Sequence, residues 1–213
     1  MSVKKCVILF SGQGSNMENL IKKKAIIQSK ISYVAAFTDN SEANGISICK
    51  AHNISVHISD NENVNLDLTN FLRLYNPDLV ILAGYMKIVP ENIVNDFKGK
   101  IINIHPSLLP KYPGLNTYEK VLKNKDKYHG VTVHFINSIL DNGPIILQGK
   151  VSIANNLTQA ELKSITHKIE YKIYPIVVQW IANDIVTLNN NKVVFKNKIL
   201  ESPITHLIEN EDL

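Results

Sequence analysis

Two polar side chains, Asn103 and His105, stand two residues apart where the apolar segment Ile101–Ile104 ends. In an extended chain, residues at this spacing point to the same side. The loop that follows, residues 106–114, contains three prolines, which restrict its backbone. An amide and an imidazole held on one side by a stiff loop could bind an oxyanion and manage a proton. The alternative is that His105 is a structural residue at a strand end.

Asp141 is the natural partner for this histidine. It begins an Asp-Asn-Gly-Pro turn after a predicted strand that carries Thr132 and His134, which we assign as supporting residues. A carboxylate beside an imidazole orients the ring and favours its charged form. Taken alone, Asp141 is equally compatible with an ordinary turn aspartate.

A metal site competes for the same groups, because His105, His129 and His134 could be zinc ligands. His129 and His134 are an odd number of residues apart, so a straight strand points them to opposite faces. No carboxylate or cysteine has the spacing to complete a local site, and we expect no metal.

A second site is predicted where the apolar segment Cys6–Phe10 ends. Residues 11–16, Ser-Gly-Gln-Gly-Ser-Asn, follow it and lead into a helical pattern. Glycines allow a tight turn, and a helix N-terminus offers free N–H groups to an anion. Met17 stands where a dinucleotide fingerprint has its third glycine, and no Gly-Lys-Ser/Thr follows. The loop therefore suits a single phosphate group; the alternative is a plain strand–helix turn.

Alternating strand and helix patterns must position these residues. Short apolar runs predict five buried strands, at Cys6–Phe10, Tyr33–Phe37, Ile54–His57, Leu79–Leu82 and Ile101–Ile104. Helical spacing is seen from Met17 to Ile21, about Glu42–His52 and Leu66–Leu74, and an antiparallel pair is predicted at Gly130–Phe135 and Pro144–Val151. The expected fold class is α/β, a mostly parallel, Rossmann-like open sheet with helices on both faces and an antiparallel C-terminal extension.

The C-terminal part begins with a capping box, Thr158 and Glu161, which opens a long amphipathic helix. Pro175 is expected to kink or interrupt that helix. A last hairpin is predicted around residues 189–191, and the polar tail beyond Ser202 is expected to be frayed. Since no linker or repeat divides the chain, we expect a single domain over residues 1–213.

Composition excludes several classes of protein. The chain has 213 residues, of which 45% are apolar and 20% charged, and a net charge of +4. Its lysines are scattered rather than concentrated on one segment, which argues against nucleic acid. No signal peptide or membrane span is visible, and Cys6 and Cys49 have no metal-like spacing, so we expect a cytoplasmic protein with reduced cysteines.

The motifs occur together in an order that resembles the phosphoribosylglycinamide formyltransferases, a family of folate-dependent formyltransferases. They are Ser-Gly-Gln-Gly-Ser-Asn at 11–16, Ala-Gly-Tyr-Met at 83–86, Asn-Ile-His-Pro-Ser-Leu-Leu-Pro at 103–110, His-Gly-Val-Thr-Val-His at 129–134 and Asp-Asn-Gly-Pro at 141–144. Each motif is weak alone, whereas the ordered set is specific and extends over nearly the whole chain.

The resemblance implies formyl transfer from 10-formyltetrahydrofolate, as co-substrate, to the amine of glycinamide ribonucleotide. It implies a catalytic trio of Asn103, His105 and Asp141. The implied substrate-binding residues are Gly14, Ser15, Asn16, Gly84, Met86, Pro106 and Glu170. The implied folate-binding residues are Lys87, Ile88, Val89, Asn103, Asn137, Ser138, Ile139, Leu140 and Asp141. We expect a phosphate-binding half at about 1–100, a catalytic and folate-binding half at about 101–200, and a monomer or weak homodimer.

Two departures from the family pattern bear on how the folate tail is gripped. Lys87 stands where many members have arginine, and Asn61 is near a position where some have a basic residue. Two other functions remain open on the sequence. One is a formyltetrahydrofolate deformylase, which would hydrolyse the same donor. The other is a non-catalytic nucleotide-binding module, in which Asp39 would meet a ribose hydroxyl.

Overall fold

The computed structural model describes residues 3–24, 30–59, 62–154 and 156–209. The chain divides into two compact units, residues 1–103 and 104–213. The division falls inside the strand Ile101–His105.

The first unit is built on parallel strands. Its strands are β1 (Lys4–Phe10), β2 (Ile31–Thr38), β3 (Ser55–Ile58), β4 (Leu79–Leu82) and the start of β5 (Ile101–His105). Its helices are α1 (Ser15–Lys24), α2 (Gly45–Ala51), α3 (Val64–Tyr75) and α4 (Glu91–Asp96). The strand order is β5-β4-β1-β2-β3, and each neighbouring pair is parallel. All of β4 and the apolar part of β1 are buried, as expected for strands covered on both faces.

The second unit contains an antiparallel pair and a long helix. Its strands are β6 (Tyr128–Phe135), β7 (Ile145–Ser152), β8 (Val186–Asn189), β9 (Lys192–Phe195), β10 (Lys198–Ile199) and β11 (Ile204–Leu207). Its helices are α5 (Thr117–Lys123) and α6 (Gln159–Ala182). β6 and β7 are antiparallel, β11 is parallel to β7, and β8, β9 and β10 form a small antiparallel sheet.

The predicted fold class is confirmed. Eight strands form one mostly parallel sheet in the order β11-β7-β6-β5-β4-β1-β2-β3, accompanied by helices, and the antiparallel additions lie in the C-terminal half. The capping box is also confirmed, since the Thr158 side chain accepts from the Glu161 N–H at 3.2 Å and the Glu161 carboxylate accepts from the Thr158 N–H at 2.8 Å.

One expectation about the C-terminal part was wrong, and of the two effects expected of Pro175, a kink or an interruption of the helix, the interruption does not occur. The polar tail is not frayed over its whole length, because Ile204–Leu207 pairs with β7 through backbone groups and Ile208 is buried. Backbone pairing at a sheet edge requires no apolar pattern, so the polar sequence concealed this strand. Helix α6 also continues through Pro175 without a break. Burial of Tyr174, Pro175 and Val177 offsets the backbone hydrogen bond that proline cannot make.

Candidate active site

A buried carboxylate with two imidazoles lies in the second unit. Asp141 follows β6 in the turn that precedes β7, and its side chain is 7% exposed. Its Oδ2 atom lies 3.3 Å from Nδ1 of His105, and its Oδ1 atom lies 3.8 Å from Nε2 of His134. The backbone N–H of Gly114 donates to Oδ2 at 2.8 Å. Three of the five side chains predicted to be catalytic or supporting, His105, His134 and Asp141, are therefore neighbours.

In each of the two histidines, the ring nitrogen that does not face Asp141 lies close to a backbone carbonyl. Nε2 of His105 lies 2.8 Å from the Tyr112 oxygen, and Nδ1 of His134 lies 2.8 Å from the Phe135 oxygen. Because a carbonyl oxygen only accepts, each of these nitrogens carries a proton.

The two histidines differ in their environment. Burial lowers the pKa of His134, and the Phe135 carbonyl and the Asp141 charge only partly offset this effect. His134 is therefore neutral near pH 7. A neutral ring in this position adds no positive charge beside Asp141 that would compete with His105.

Thr132 fastens the loop that follows β5. Its hydroxyl donates to the Ser107 oxygen at 2.6 Å and accepts from the Leu109 N–H at 3.0 Å. Gln148, which is opposite Thr132 in the β6–β7 register, donates to the Leu109 oxygen at 2.7 Å and to the Thr132 hydroxyl at 3.0 Å. This network holds the start of the proline-containing loop, whose residues Tyr112 and Gly114 contact His105 and Asp141.

The other predicted residues of the second unit lie around this cluster or on α6. Glu170 is a buried residue of α6, and Pro106 is half-buried directly after His105. Burial raises the pKa of Tyr118, and the nearby charge of Glu170 raises it further. A buried carboxylate on a helix is an arrangement that can hold an amine.

The turn that carries the predicted folate residues is organised by Asn137. Its side-chain oxygen accepts a hydrogen bond from the Ile139 N–H at 3.0 Å. Its side-chain NH₂ group donates to the backbone oxygen of Asn142 at 3.0 Å. Ser138 is exposed in the same turn. Ile139 and Leu140 have apolar side chains that are 58% and 59% exposed. Exposed apolar side chains on an ordered turn suit contact with a flat organic ring.

In the first unit, the predicted phosphate loop leads into α1. Gly14 has a φ of 75°, and a Cβ atom there would lie 2.8 Å from the Cα of Gly45, so both its backbone conformation and its surroundings require glycine. Ser15 and Asn16 are half-buried in the first turn of α1. Backbone N–H groups at such a position are suited to an anion.

The segment after β4 carries the remaining predicted residues of this unit. Met86 and Ile88 are 71% and 74% exposed, Lys87 is exposed, and Gly84 has a φ of 79°. Asn103, on β5, pairs in register with Leu82 and stands two residues before His105. Asn61 lies outside the described residues.

Several contacts of this site were not predicted from the sequence. Gly114 and Tyr112 act through backbone groups, which any residue type possesses, so only the proline spacing of their loop hinted at a role. Gln148 lies between the apolar start of β7 and Gly149, and no motif marks it. Its position opposite Thr132 in the predicted antiparallel pair was the one pattern that could have identified it.

The described residues contain no group of three or more His, Cys, Asp or Glu side chains arranged to hold a metal ion. In the same part of the chain, no helix is long and apolar enough to cross a membrane. Cys6 and Cys49 are buried free cysteines.

Comparison with known proteins adds to this geometry. The formyl transferase family profile matches residues 4–178. The phosphoribosylglycinamide formyltransferase of Haemophilus influenzae is 38% identical over 93% of this chain and 96% of its own length, and that of Escherichia coli is 35% identical over 87% and 90%. A solved structure of phosphoribosylglycinamide formyltransferase from Coxiella burnetii has a TM-score of 0.87 at 35% identity, covering 95% of this chain and 98% of that one. The chain is therefore an enzyme of the formyl transferase family, among the phosphoribosylglycinamide formyltransferases.

Proposed function

We propose that this enzyme transfers the formyl group of 10-formyltetrahydrofolate to the amine of glycinamide ribonucleotide, in the de novo synthesis of purines. The proposal rests on family membership. The structural observation that carries it is the buried contact between Asp141 and His105, at 3.3 Å. A carboxylate and an imidazole at this distance suit a reaction that develops a negative charge and moves a proton.

The reaction forms a bond between the amine nitrogen and the formyl carbon and breaks the bond between that carbon and N10 of the folate. One proton passes from the amine to N10, so tetrahydrofolate leaves as a neutral amine. Between these events, the formyl oxygen carries a negative charge in a tetrahedral intermediate. No covalent intermediate with the enzyme is needed.

Asn103 and His105 stabilise that oxygen in the proposed mechanism. The Asn103 amide donates an N–H group, and protonated His105 contributes its positive charge. A well-placed donor of this kind contributes roughly 3 kcal/mol. Asp141 supports the charge on His105 and, through water, relays the proton between the amine and N10.

The contact between His105 and Tyr112 adds one requirement. Nε2 of His105 already donates to the Tyr112 oxygen. His105 can therefore act through its charge from its present position. Direct donation to the formyl oxygen requires that this oxygen replace the Tyr112 carbonyl as the acceptor.

The substrates are assigned to the surrounding residues. In the first unit, Gly14, Ser15 and Asn16 would bind the phosphate, and Gly84 and Met86 would line the sugar and the amine. In the second unit, Pro106 and Glu170 would contact the sugar and the amine. The folate would contact residues 87–89, Asn103 and residues 137–141, where exposed apolar side chains favour its pteridine ring.

We also propose a domain organisation, a cellular location and an association state for this enzyme. Residues 1–213 are taken as a single formyltransferase domain, with a phosphate-binding half at about 1–100 and a catalytic, folate-binding half at about 101–200. We expect a cytoplasmic monomer or weak homodimer that acts on small molecules and does not bind nucleic acid. Sedimentation of the purified protein over a range of concentrations measures the association state.

The test follows release of tetrahydrofolate from 10-formyltetrahydrofolate with and without glycinamide ribonucleotide. Turnover should require the ribonucleotide, and kcat should fall by about 10³-fold or more in His105→Ala and Asp141→Asn, because both remove stabilisation of transition-state charge. Lys98→Ala, at an exposed position outside the assigned residues, is the control and should retain wild-type turnover.

Three outcomes would contradict the proposal or the residues assigned to it. Turnover without the ribonucleotide would indicate the deformylase. No turnover under either condition, with thermal stabilisation by NAD but not by folate, would indicate a nucleotide-binding module. Wild-type rates in both variants would remove His105 and Asp141 from the mechanism.

A further inference from the structure

Ser11 holds the segment Gly84–Met86 at two points. Its backbone N–H donates to the Gly84 oxygen at 3.0 Å, and its hydroxyl oxygen accepts from the Met86 N–H at 2.9 Å. The two bonds join the end of β1 to both sides of Tyr85. Gly84 is in the left-handed region, and the Met86 side chain is 71% exposed.

Asp39 determines how the Ser11 hydroxyl is oriented. This residue follows β2. Its Oδ1 atom accepts a hydrogen bond from the Ser11 hydroxyl, with 2.5 Å between the two oxygens. A hydroxyl has one proton, so donation to a carboxylate leaves its lone pairs available for the Met86 N–H. Hydrogen bonds in such a chain strengthen one another, and a charged acceptor at the end makes the chain stronger. The Asn40 amide, which donates to the Ser11 oxygen at 3.0 Å, anchors the backbone of the same residue.

Tyr85 does not provide an alternative anchor. Its hydroxyl is buried and has no hydrogen-bond partner among the described residues, while its ring contacts Phe37 edge-on at 6.3 Å. Burial raises the pKa of Tyr85, and the charge of Asp39 raises it further, so the phenol stays neutral. The Tyr85 side chain therefore contributes packing, and the hydrogen bonds described above that hold the segment come from Ser11.

We propose that Asp39 is a positioning residue for the ribonucleotide: by orienting the Ser11 hydroxyl, it fixes the Gly84–Met86 segment in the geometry that binds this substrate. The role in binding rests on the proposed function, which assigns Gly84 and Met86 to the sugar and the amine of glycinamide ribonucleotide. The role in fixing the segment rests on the hydrogen bonds alone.

The kinetic test compares Asp39→Ala with Asp39→Asn. Loss of the acceptor should raise KM for glycinamide ribonucleotide about tenfold while kcat changes by less than about threefold. Asparagine keeps an oxygen acceptor for the Ser11 hydroxyl, so Asp39→Asn should restore KM to within about threefold of wild type. The control is Glu42→Ala, an exposed acidic residue three positions along, which should leave both constants unchanged.

A double-mutant cycle tests whether Asp39 acts through Ser11. Ser11→Ala should raise KM to a similar extent, and adding Asp39→Ala in that background should change it by less than about twofold. If the two substitutions raise KM by factors that multiply in the double variant, Asp39 does not act through Ser11. An unchanged KM in Asp39→Ala, or in Ser11→Ala if Asp39→Ala does not fold, would overturn the positioning role.

Hydrogen exchange at the Met86 amide provides a readout that needs no substrate. Asp39→Ala should increase the exchange rate of this N–H about tenfold relative to wild type and to Glu42→Ala, because its acceptor is no longer oriented. If Asp39→Ala exchanges faster but the wild-type protein shows no ribonucleotide-dependent turnover, the proposed function is contradicted. The role of Asp39 in fixing the segment would then still stand. Unchanged exchange would overturn the inference whatever the activity.

Discussion

The backbone of Asp141 has a φ of 51°, in the left-handed region that aspartate tolerates better than most residues. The sequence left two interpretations of this residue open, a turn aspartate and a partner for His105. The structure makes the two compatible, since the turn between β6 and β7 directs the carboxylate to His105 and His134. Turn geometry is therefore the means by which the side chain is positioned.

His129 carries a prediction about pH and stability. It is 1% exposed, and its Nε2 atom lies 2.8 Å from the hydroxyl of Thr166, which donates its own proton to the Leu162 oxygen at 2.7 Å. Nε2 must then be the donor in this contact. Burial lowers the pKa of His129 to about 4, against the opposing charge of Asp126.

This lowered pKa should make the fold sensitive to acid. Between pH 6.5 and about 4, the unfolded chain binds a proton at His129 and the folded protein does not, so stability falls as the pH falls. The loss should reach about 3 kcal/mol below pH 4. Urea unfolding at pH 7, 5 and 4 should show a smaller decline in His129→Gln, which keeps a donor for Thr166, than in wild type. Equal declines in the two proteins would contradict the assignment; exposed His52→Gln serves as the control.

At the residue scale, the sequence predicted the side chains whose chemistry is distinctive. The pairing of His105 with Asp141 follows from residue type and from strand-end positions. The N–H of Gly114, the carbonyl of Tyr112 and the Asp39–Ser11 bond could not be predicted, because they depend on how separate loops meet in space.

At the scale of elements, a close approach of strand and helix requires glycine at position 149. A Cβ atom on this β7 residue would lie 2.5 Å from Cγ2 of Ile169 and 3.1 Å from Cγ2 of Ile173, both on α6. The small residue lets α6 lie against the strand and bury its apolar face.

Gly149→Ala should therefore lower the free energy of unfolding by about 1–3 kcal/mol, the usual cost of an overpacked core. Gly12→Ala is the matched control for stability, since a Cβ atom there meets nothing within 4 Å. Denaturant titration of both variants measures the difference. A Gly149→Ala protein as stable as the Gly12→Ala protein would mean that α6 can shift without cost.

The elements themselves differed in how well the sequence predicted them. Continuous apolar runs identified the buried strands β1, β2, β4 and β5, because parallel strands covered on both faces need apolar residues throughout. Helices α4 and α5, of six and seven residues, were not predicted, since so few residues show no clear period. β11 was missed because its pairing uses the backbone of an exposed, polar segment.

At the scale of the whole molecule, the alternation of strands and helices was sufficient to predict the fold class. The halves expected at about 1–100 and 101–200 came from the family resemblance, since the observed division between the compact units, at residue 103, falls inside a strand and no change in composition marks it. The net charge of +4 suits the proposed substrates, a phosphate ester and a folate, which are both anionic.

The central claim is that this chain transfers a formyl group between two small molecules rather than releasing it to water. The most direct measurement supplies 10-formyltetrahydrofolate with a carbon-13 label in its formyl group, together with glycinamide ribonucleotide, and identifies the labelled product by mass spectrometry. With wild-type protein, the label should appear in formylated glycinamide ribonucleotide, and with Asp141→Asn it should be absent from that product. Label recovered as formate, or remaining on the folate with wild-type protein, would contradict the claim.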